Sequence, residues 1–395
     1  MTTREVVVLS GVRTPIGSFG KSLKDVAPVT LATEVLRAAI ARANIEPAQV
    51  EHVCFGQVIN TEPRDLYLSR VAAIDGGCGQ ETPAFNVNRL CGSGLQAIVS
   101  ASQSILLGDC AIAVAGGAES MSRAPYASQA MRVGARLGDT AMVDTLLGAL
   151  HDPFHRIHMG MTAENVARQY GITRQEQDAL AVESHRRAAR ATTEGRFDSQ
   201  LVPVTITGRK GSPPFAHDEH IRHDISLGDL AGLRPAFAPD DGTVTAGNAS
   251  GINDGAAALV LMERARAQAS GARALARLVA YAHAGVDPRY MGMGPVPATR
   301  AVLDKAGLRV DDIDVIESNE AFAAQACAVA RELGLDPDKV NPNGSGIALG
   351  HPVGATGAII TVKALHELQR IGGRYALVTM CIGGGQGIAA IFERI

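Results

Sequence analysis

The chain has 395 residues, of which 46% are hydrophobic and 19% charged, and its formal net charge is −3, with 37 Lys and Arg against 40 Asp and Glu. This composition is typical of a soluble globular protein of two or three domains and excludes a disordered chain. An aromatic content of 4% without Trp, together with the near-neutral charge, disfavours nucleic-acid binding, because few rings are available for base stacking and no basic surface is expected.

The first ten residues contain only a four-residue apolar run, Val6–Leu9, and do not resemble a signal peptide. No segment is expected to reach the roughly 18 apolar residues that a spanning helix needs. We therefore expect no membrane partner and a cytoplasmic location.

Short apolar strands alternate with helical patterns at the start of the chain. A strand at Val6–Leu9 is followed by apolar residues at helical spacing between Leu31 and Ile40, and then by a second strand at Val50–Phe55. Such alternation predicts an α/β layered fold.

A cysteine stands in a glycine-flanked turn at the start of the next helix. The helix is predicted by apolar residues on one face, Leu95, Ile98, Ile105 and Leu106. The partial positive charge of the helix N-terminus is expected to favour the thiolate of Cys91, and the glycines to let a substrate carbonyl approach the backbone N–H groups. Cys91 is therefore a candidate nucleophile, with a small buried thiol as the alternative.

The middle of the chain, about residues 120–252, differs in composition from the segments on either side and is predicted to be an inserted lobe. It contains one long amphipathic segment, Thr162–Ala191. Three histidines, His151, His155 and His158, have a spacing that could place them on one helix face. A proline interrupts that helix, however, and no carboxylate completes a ligand set. No metal site is expected here.

A second glycine-rich turn contains His351, followed by Pro352 at the entrance of an apolar helix near Ile359–Leu368. The helix dipole disfavours imidazolium at this position, so His351 is a candidate base, with a capping turn as the alternative. Neither a phosphate-binding P-loop nor a dinucleotide fingerprint is present, which disfavours an ATP or nicotinamide site.

Two further candidates follow strands in the last third of the chain. Cys381 ends a strand that runs into a triple-glycine turn, where a thiol could relay protons beside backbone N–H groups able to hold an oxyanion. Asn319 follows the strand residues Val315 and Ile316 and could donate a hydrogen bond at the same sheet edge, or serve as a turn residue.

The C-terminal third repeats the N-terminal third. Three blocks match in the same order: 43–53 with 306–316; 87–88 followed by 91–94 with 340–341 followed by 343–346; and 110–114 with 375–379. The repeat predicts two related halves. The expected units are 1–119, completed by 253–272; a loop domain at 120–252; and 273–395.

With these residues in place, the sequence resembles the thiolases, the acetyl-CoA C-acyltransferases, over essentially its whole length. Seven blocks carry the resemblance: 11–17 (GVRTPIG), 87–94 (VNRLCGSG), 158–165 (HMGMTAEN), 246–251 (AGNASG), 319–323 (NEAFA), 350–357 (GHPVGATG) and 381–387 (CIGGGQG). The block 150–159 (LHDPFHRIHM) is most similar to bacterial biosynthetic β-ketothiolases of broad chain length that feed polyhydroxyalkanoate synthesis.

The resemblance implies the thiolase fold: two βαβαβαββ halves in a five-layered α/β/α/β/α core, with a loop lobe over the active site. It also implies a homotetramer, with Ser120–Arg136 in the region that makes tetramer contacts. The implied reaction is the reversible condensation of acetyl-CoA with acetyl-CoA or a short acyl-CoA, without a cofactor beyond the coenzyme A thioesters themselves.

The resemblance also implies roles for individual residues. Cys91 would be the acylated nucleophile, His351 its base, and Cys381 the acid and base for the α proton. Asn319 would hold a water that forms one oxyanion hole with His351, and the N–H groups of Cys91 and Gly383 would form the other. The implied substrate-binding residues are Leu150, His158, Met159, Arg222, Ala246, Ser250, Met291 and Phe322.

Two alternatives remain open at this point. A β-ketoacyl-carrier-protein synthase shares a duplicated fold and a nucleophilic cysteine, although the Cys381 block and the block at Asn319 favour a thiolase. A catalytically silent acyl-CoA or lipid binder is the other, and the intact set of candidate residues argues against it.

Overall fold

The computed structural model describes residues 4–206 and 213–395. The strands are β1 (Val6–Arg13), β2 (Gly17–Ser18), β3 (His52–Gly56), β4 (Ala84–Val87), β5 (Ile112–Ser120), β6 (Tyr126–Ala127), β7 (Val143–Asp144), β8 (Asn253–Glu263), β9 (Ala276–Gly285), β10 (Val315–Ser318), β11 (Tyr375–Ile382) and β12 (Gln386–Arg394). The helices are α1 (Pro28–Ala43), α2 (Leu68–Asp75), α3 (Ser93–Leu107), α4 (Ala130–Val133), α5 (Thr145–Ala149), α6 (Met159–Tyr170), α7 (Arg174–Thr193), α8 (Leu227–Ala231), α9 (Arg264–Ser270), α10 (Pro295–Ala306), α11 (Ala323–Leu333), α12 (Gly346–Leu349) and α13 (Thr356–Ile371). Short 3₁₀ turns lie at Pro47–Gln49, Pro63–Tyr67, Met121–Arg123, Pro288–Met293 and Val310–Asp312.

The main sheet contains the same strand arrangement twice. The first half has the order β4-β3-β5-β8-β1 and the second the order β10-β11-β12-β9. In each half a parallel pair (β3 with β5, β10 with β11) is extended by antiparallel strands. Val340 pairs in parallel with Ile316 at the position that β4 occupies in the first half. The predicted duplication is therefore confirmed.

The helices complete five layers. α1 packs on β1, β5 and β8 at one outer face, and α10 packs on β9 and β12 at the other. α3 and α13 contact each other and lie in the middle, with α3 against β3 and β5 and α13 against strands of both halves. The halves also join directly, because β1 pairs with β9 at Val7 and Val8. The predicted α/β/α/β/α core is confirmed.

The central helix α3 departs from two expectations. The window Leu90–Leu107 has a mean hydropathy of 1.3, which is long and apolar enough for a membrane span by length and composition. The apolar character serves the core instead, since Leu95, Ile98 and Ile105 are fully buried between the two halves. Leu106, predicted on the same buried face, is 40% exposed in the last turn of the helix.

The long amphipathic segment of the middle region is divided between two helices, α6 and α7. α6 ends at Gly171, which has a left-handed backbone conformation (φ 61°). α7 then begins after Thr173, whose side chain and that of Glu176 cap each other's backbone N–H groups. A C-cap followed directly by an N-cap outweighs the continuous apolar pattern.

Candidate active site

The candidate residues from both halves meet in one cavity of about 300 Å³. Its walls are mostly apolar, with a few convergent polar groups, as in typical small-molecule sites. The predicted residues that line it are Cys91, His351, Cys381, Gly383, Leu150, His158, Met159, Ala246, Ser250, Met291 and Phe322.

Cys91 lies in the tight turn between β4 and α3, directly before the helix N-cap Gly92. Leu90, the preceding residue, has a φ of 45°, a conformation that side chains other than glycine adopt rarely. Two glycines of this turn have no room for a side chain. A Cβ on Gly92 would lie 2.5 Å from Ile382, and one on Gly94 would lie 2.7 Å from the backbone of Ala358. They let the turn approach the second half closely, which brings Cys91 to the cavity.

The Cys91 thiol is neutral at ordinary pH. Burial raises the pKa of Cys91 to about 11, and the Glu119 carboxyl group adds to this increase. The backbone N–H groups of Gly383 and of Cys91 itself hydrogen-bond to the sulfur and lower the pKa in part. These hydrogen bonds act in the direction expected for the helix start, but burial has the larger effect on the pKa. Attack on a thioester needs a base.

His351 is buried in the loop between α12 and α13. Its backbone N–H donates to Asn253 Oδ1 at 2.9 Å, and its Nδ1 lies 2.7 Å from Thr356 Oγ1. Burial lowers the pKa of His351 to about 4, so the imidazole is neutral, as predicted. The cause is burial of the ring as a whole.

Asn319 contacts the His351 ring but does not itself line the cavity. It follows β10, and its backbone N–H donates to Thr379 O at 3.1 Å. Its Nδ2 is 3.5 Å from both ring nitrogens of His351, while its fully buried Oδ1 has no hydrogen-bond partner. An unsatisfied buried oxygen of this kind marks a place where a water would be bound.

Cys381 is the penultimate residue of β11, and Gly383 begins the turn that follows. Cys381 is fully buried, and burial raises its pKa, with a further increase from the neighbouring Cys91. The thiols of the two cysteines thus share one desolvated space.

Aromatic side chains form one wall of the cavity. The His158 and Phe237 rings stack with centroids 4.6 Å apart, and Phe237 meets Phe322 edge to face at 6.4 Å. His158 Nδ1 accepts a hydrogen bond from Gly160 N–H at 3.0 Å, so the ring also caps α6. Phe237 was not predicted, since no motif surrounds it in the sequence.

The loop that contains Ala246 and Ser250 is hydrogen-bonded to the segment that follows β10. Ser250 N–H donates to Ala321 O at 3.0 Å, and Ala249 forms a β-bridge with Phe322. The predicted binding residues of the middle region and of the second half therefore share a wall.

Arg222 is the one predicted substrate-binding residue outside the cavity lining. Its side chain is exposed, and its backbone N–H donates to His185 Nδ1 at 3.1 Å. His151 and His155 precede α6 in a loop, and the residues that the structure describes contain no cluster of three groups able to hold a metal ion.

Two supporting residues were missed by sequence reasoning. The fully buried Glu119 carboxylate accepts the N–H groups of Val58 (3.0 Å), Ile59 (3.1 Å) and Gly354 (2.8 Å), which joins the loop after β3 to the His351 loop. Asn253, at the start of β8, holds the His351 backbone. Both contacts cross between the halves, so spacing along the chain could not reveal them.

The comparisons with known proteins agree with this geometry. The family model described as the thiolase N-terminal domain matches residues 6–265, and that of the thiolase C-terminal domain matches residues 272–394. The chain belongs to the thiolase family, and it is an acyltransferase of that family. The family predicted from the seven sequence blocks is confirmed.

Individual relatives match over their full length. The chain is 68% identical to Beta-ketothiolase BktB of Cupriavidus necator over 393 residues, which cover 100% of both chains. It is 48% identical to an acetyl-CoA acetyltransferase of the same organism, with 99% of each covered. Among solved structures, the acetyl-CoA acetyltransferase of Bacillus anthracis superposes with a TM-score of 0.97 at 48% identity, covering 100% of this chain and 99% of the other. Human mitochondrial 3-ketoacyl-CoA thiolase in complex with CoA gives 0.96 at 42% identity, covering 100% and 98%.

Proposed function

We propose that this protein is a β-ketothiolase that condenses acetyl-CoA with acetyl-CoA or a short acyl-CoA to 3-ketoacyl-CoA and free CoA, and runs the reverse thiolysis. The observation that carries the proposal is the meeting of Cys91, His351, Cys381 and Gly383 in one cavity, with Asn319 behind His351. The identity to named β-ketothiolases supports the substrate class.

The first half-reaction is acyl transfer to Cys91. His351 accepts the Sγ proton, and the sulfur attacks the thioester carbonyl. The N–H groups of Cys91 and Gly383 already point at the sulfur and lie where they can hold the oxygen of the tetrahedral intermediate. As the intermediate collapses, the proton on His351 passes to the departing CoA sulfur, which leaves an acyl-Cys91 thioester.

The second half-reaction makes the carbon–carbon bond. The Cys381 Sγ proton passes to neutral His351, and the resulting thiolate removes the α proton of the second acyl-CoA and becomes a thiol again. The enolate carbon then attacks the acyl-Cys91 carbonyl, and the released Cys91 sulfur takes the proton back from His351. His351, together with a water on Asn319, stabilises the enolate oxygen; loss of one such donor typically lowers turnover by about 10² to 10³-fold. Condensation and thiolysis share this transition state, so metabolite ratios set the direction.

The remaining cavity residues suit the chain of coenzyme A. The mostly apolar walls leave room for a thioester arm, and a related thiolase is known in complex with CoA. Arg222, exposed near the same lobe, would bind the solvent-exposed part of the molecule. No cofactor besides the CoA thioesters enters the proposed reaction.

We further propose a cytoplasmic homotetramer, built on units 1–119 with 253–272, 120–252, and 273–395. The support for the assembly is a small hairpin of β6 and β7, around which apolar side chains are exposed: Tyr126 (61%), Val133 (87%) and Leu137 (98%). Exposed apolar clusters of this kind are typical of protein–protein contacts. Synthesis of polyhydroxyalkanoate precursors is the proposed pathway.

The test is the consumption of acetoacetyl-CoA in the presence and absence of CoA, with the Cys91→Ala protein as control. The proposal predicts consumption that requires both CoA and Cys91. Activity only with acyl-carrier-protein substrates would instead indicate a carrier-protein synthase, and tight acyl-CoA binding without turnover would indicate a silent binder.

A further inference from the structure

The hydroxyl of Thr356 is placed to decide which nitrogen of His351 bears the proton. Thr356 is the first residue of α13, and its Oγ1 lies 2.7 Å from His351 Nδ1. The same Oγ1 donates to the carbonyl oxygen of Pro352 at 2.9 Å. A threonine hydroxyl has a single hydrogen. When that hydrogen is donated to Pro352 O, Thr356 Oγ1 can only accept a hydrogen bond from the His351 ring.

With the hydroxyl hydrogen directed at Pro352 O, Nδ1 of His351 bears a hydrogen that it donates to Thr356 Oγ1, and Nε2 bears the lone pair. Asn319 Nδ2 lies 3.5 Å from both ring nitrogens, so the choice of tautomer rests on the Thr356 contact. The alternative tautomer would require the Thr356 hydroxyl to turn its hydrogen away from Pro352 O and donate it to Nδ1.

We infer that Thr356 is a positioning residue that fixes His351 as the Nδ1–H tautomer, so that Nε2 is free to take the Cys91 proton. This inference rests on the proposed function. In the step it supports, the Sγ–H bond of Cys91 breaks, the electron pair stays on sulfur, and a new Nε2–H bond forms. The Nδ1 hydrogen stays on His351, donated to Thr356 Oγ1, throughout, and the Nε2 hydrogen later leaves with the CoA sulfur.

The position of the His351 backbone does not depend on the Thr356 hydroxyl. Asn253 holds the His351 N–H, and Glu119 holds the Gly354 N–H within the same loop. Removal of the hydroxyl is therefore expected to change the proton arrangement on the ring while the loop keeps its place. This separation makes the inference testable by substitution.

The experiment compares Thr356→Val, which keeps the shape without the hydroxyl, with Thr356→Ser, which keeps the hydroxyl. Acylation of Cys91 by acetyl-CoA is followed in a single turnover by rapid quench, beside steady-state kcat and KM. Thr356→Val is expected to lower the acylation rate by about 10² to 10⁴-fold, the contribution of a base in the correct tautomer, with KM unchanged. Thr356→Ser is expected to restore most of the rate.

The pH dependence separates this role from a structural one. With the base impaired, solvent hydroxide must take the Cys91 proton, so the deficit of Thr356→Val should shrink as pH rises towards 10. The other titratable groups on the cavity walls, Cys381 and His158, are unchanged between the variants. Thermal unfolding checks each variant, and Thr356→Ala replaces Thr356→Val if the latter does not fold.

The inference is overturned if Thr356→Val acylates at the wild-type rate, if Thr356→Ser is as slow as Thr356→Val, or if the deficit is constant with pH. A wild-type protein without CoA-dependent turnover would instead overturn the proposed function. The two failures are thus distinguishable.

Discussion

The two glycine-serine turns of the duplicated halves have the same sequence pattern but different surroundings. In the first half, Cys91 precedes Gly-Ser-Gly and its side chain lines the cavity. In the second, Asn343 precedes the same three residues, yet it is buried and fully engaged: its Nδ2 donates to Glu367 at 2.9 Å and its Oδ1 accepts from Arg196 at 2.9 Å.

The second turn is also fixed to a buried ion pair. Lys363 on α13 donates to Gly344 O at 2.6 Å and to Glu317 Oε2 at 2.7 Å, with both side chains inaccessible to solvent. The duplication therefore supplies the same backbone shape twice. Polar side-chain partners make one copy a structural anchor. In the other copy the Cys91 sulfur meets only backbone N–H groups, which leaves the thiol available for chemistry.

The largest effect is expected at the first turn. Cys91→Ser replaces the thiol by a far less acidic hydroxyl that His351 cannot activate for thioester exchange, so kcat should fall by about 10⁴-fold or more. Thermal unfolding should be unchanged, because Cys91 makes no side-chain hydrogen bond that holds the fold. A variant that keeps most of the activity would remove Cys91 from the nucleophile role.

A large loss of stability is expected beside the second turn. Lys363→Met leaves Glu317 buried without its partner, and the free energy of unfolding should fall by about 3 to 5 kcal/mol in urea denaturation. The matched control is Arg64→Met, which breaks an exposed pair with Asp75 and should cost about 0 to 1 kcal/mol. Equal effects of the two substitutions would contradict the anchoring role.

A smaller loss is expected at Asn343 itself. Asn343→Ala leaves the buried Glu367 and the half-buried Arg196 without their amide partner and should cost about 1 to 3 kcal/mol of unfolding free energy. The kcat per folded molecule should stay at the wild-type value. If activity fell while the stability did not, the second turn would have a catalytic role that the comparison denies.

The smallest effect concerns the protonation state of the Cys91 thiol in the first turn. Because burial raises the pKa of Cys91 to about 11, its thiolate fraction should grow about tenfold per pH unit from pH 7 to 10. The rate of Cys91 alkylation by iodoacetamide, measured by peptide mass spectrometry, should follow this rise. A rate already constant above pH 6 would show that the helix N-terminus dominates after all.

The sequence alone predicted the duplication, the layered fold and the catalytic candidates, because these are written in local motifs and in their order. It did not predict Glu119 and Asn253 as supports of the His351 loop, since those contacts join distant segments. The pKa of Cys91 also could not be read from the helix start, because burial arises only when the two halves close around the thiol. The amphipathic pattern of Thr162–Ala191 did not show the break between α6 and α7, which the caps at Gly171 and Thr173 produce locally.

The most direct test of the division of labour between the two thiols uses Cys381→Ala, with acetyl-CoA as the only substrate. The account predicts that an acetyl group accumulates on the peptide containing Cys91, seen by mass spectrometry, while no acetoacetyl-CoA forms. Cys91→Ser, treated in the same way, should carry no acetyl group. Condensation by Cys381→Ala, or an acetyl group on another residue, would contradict the account.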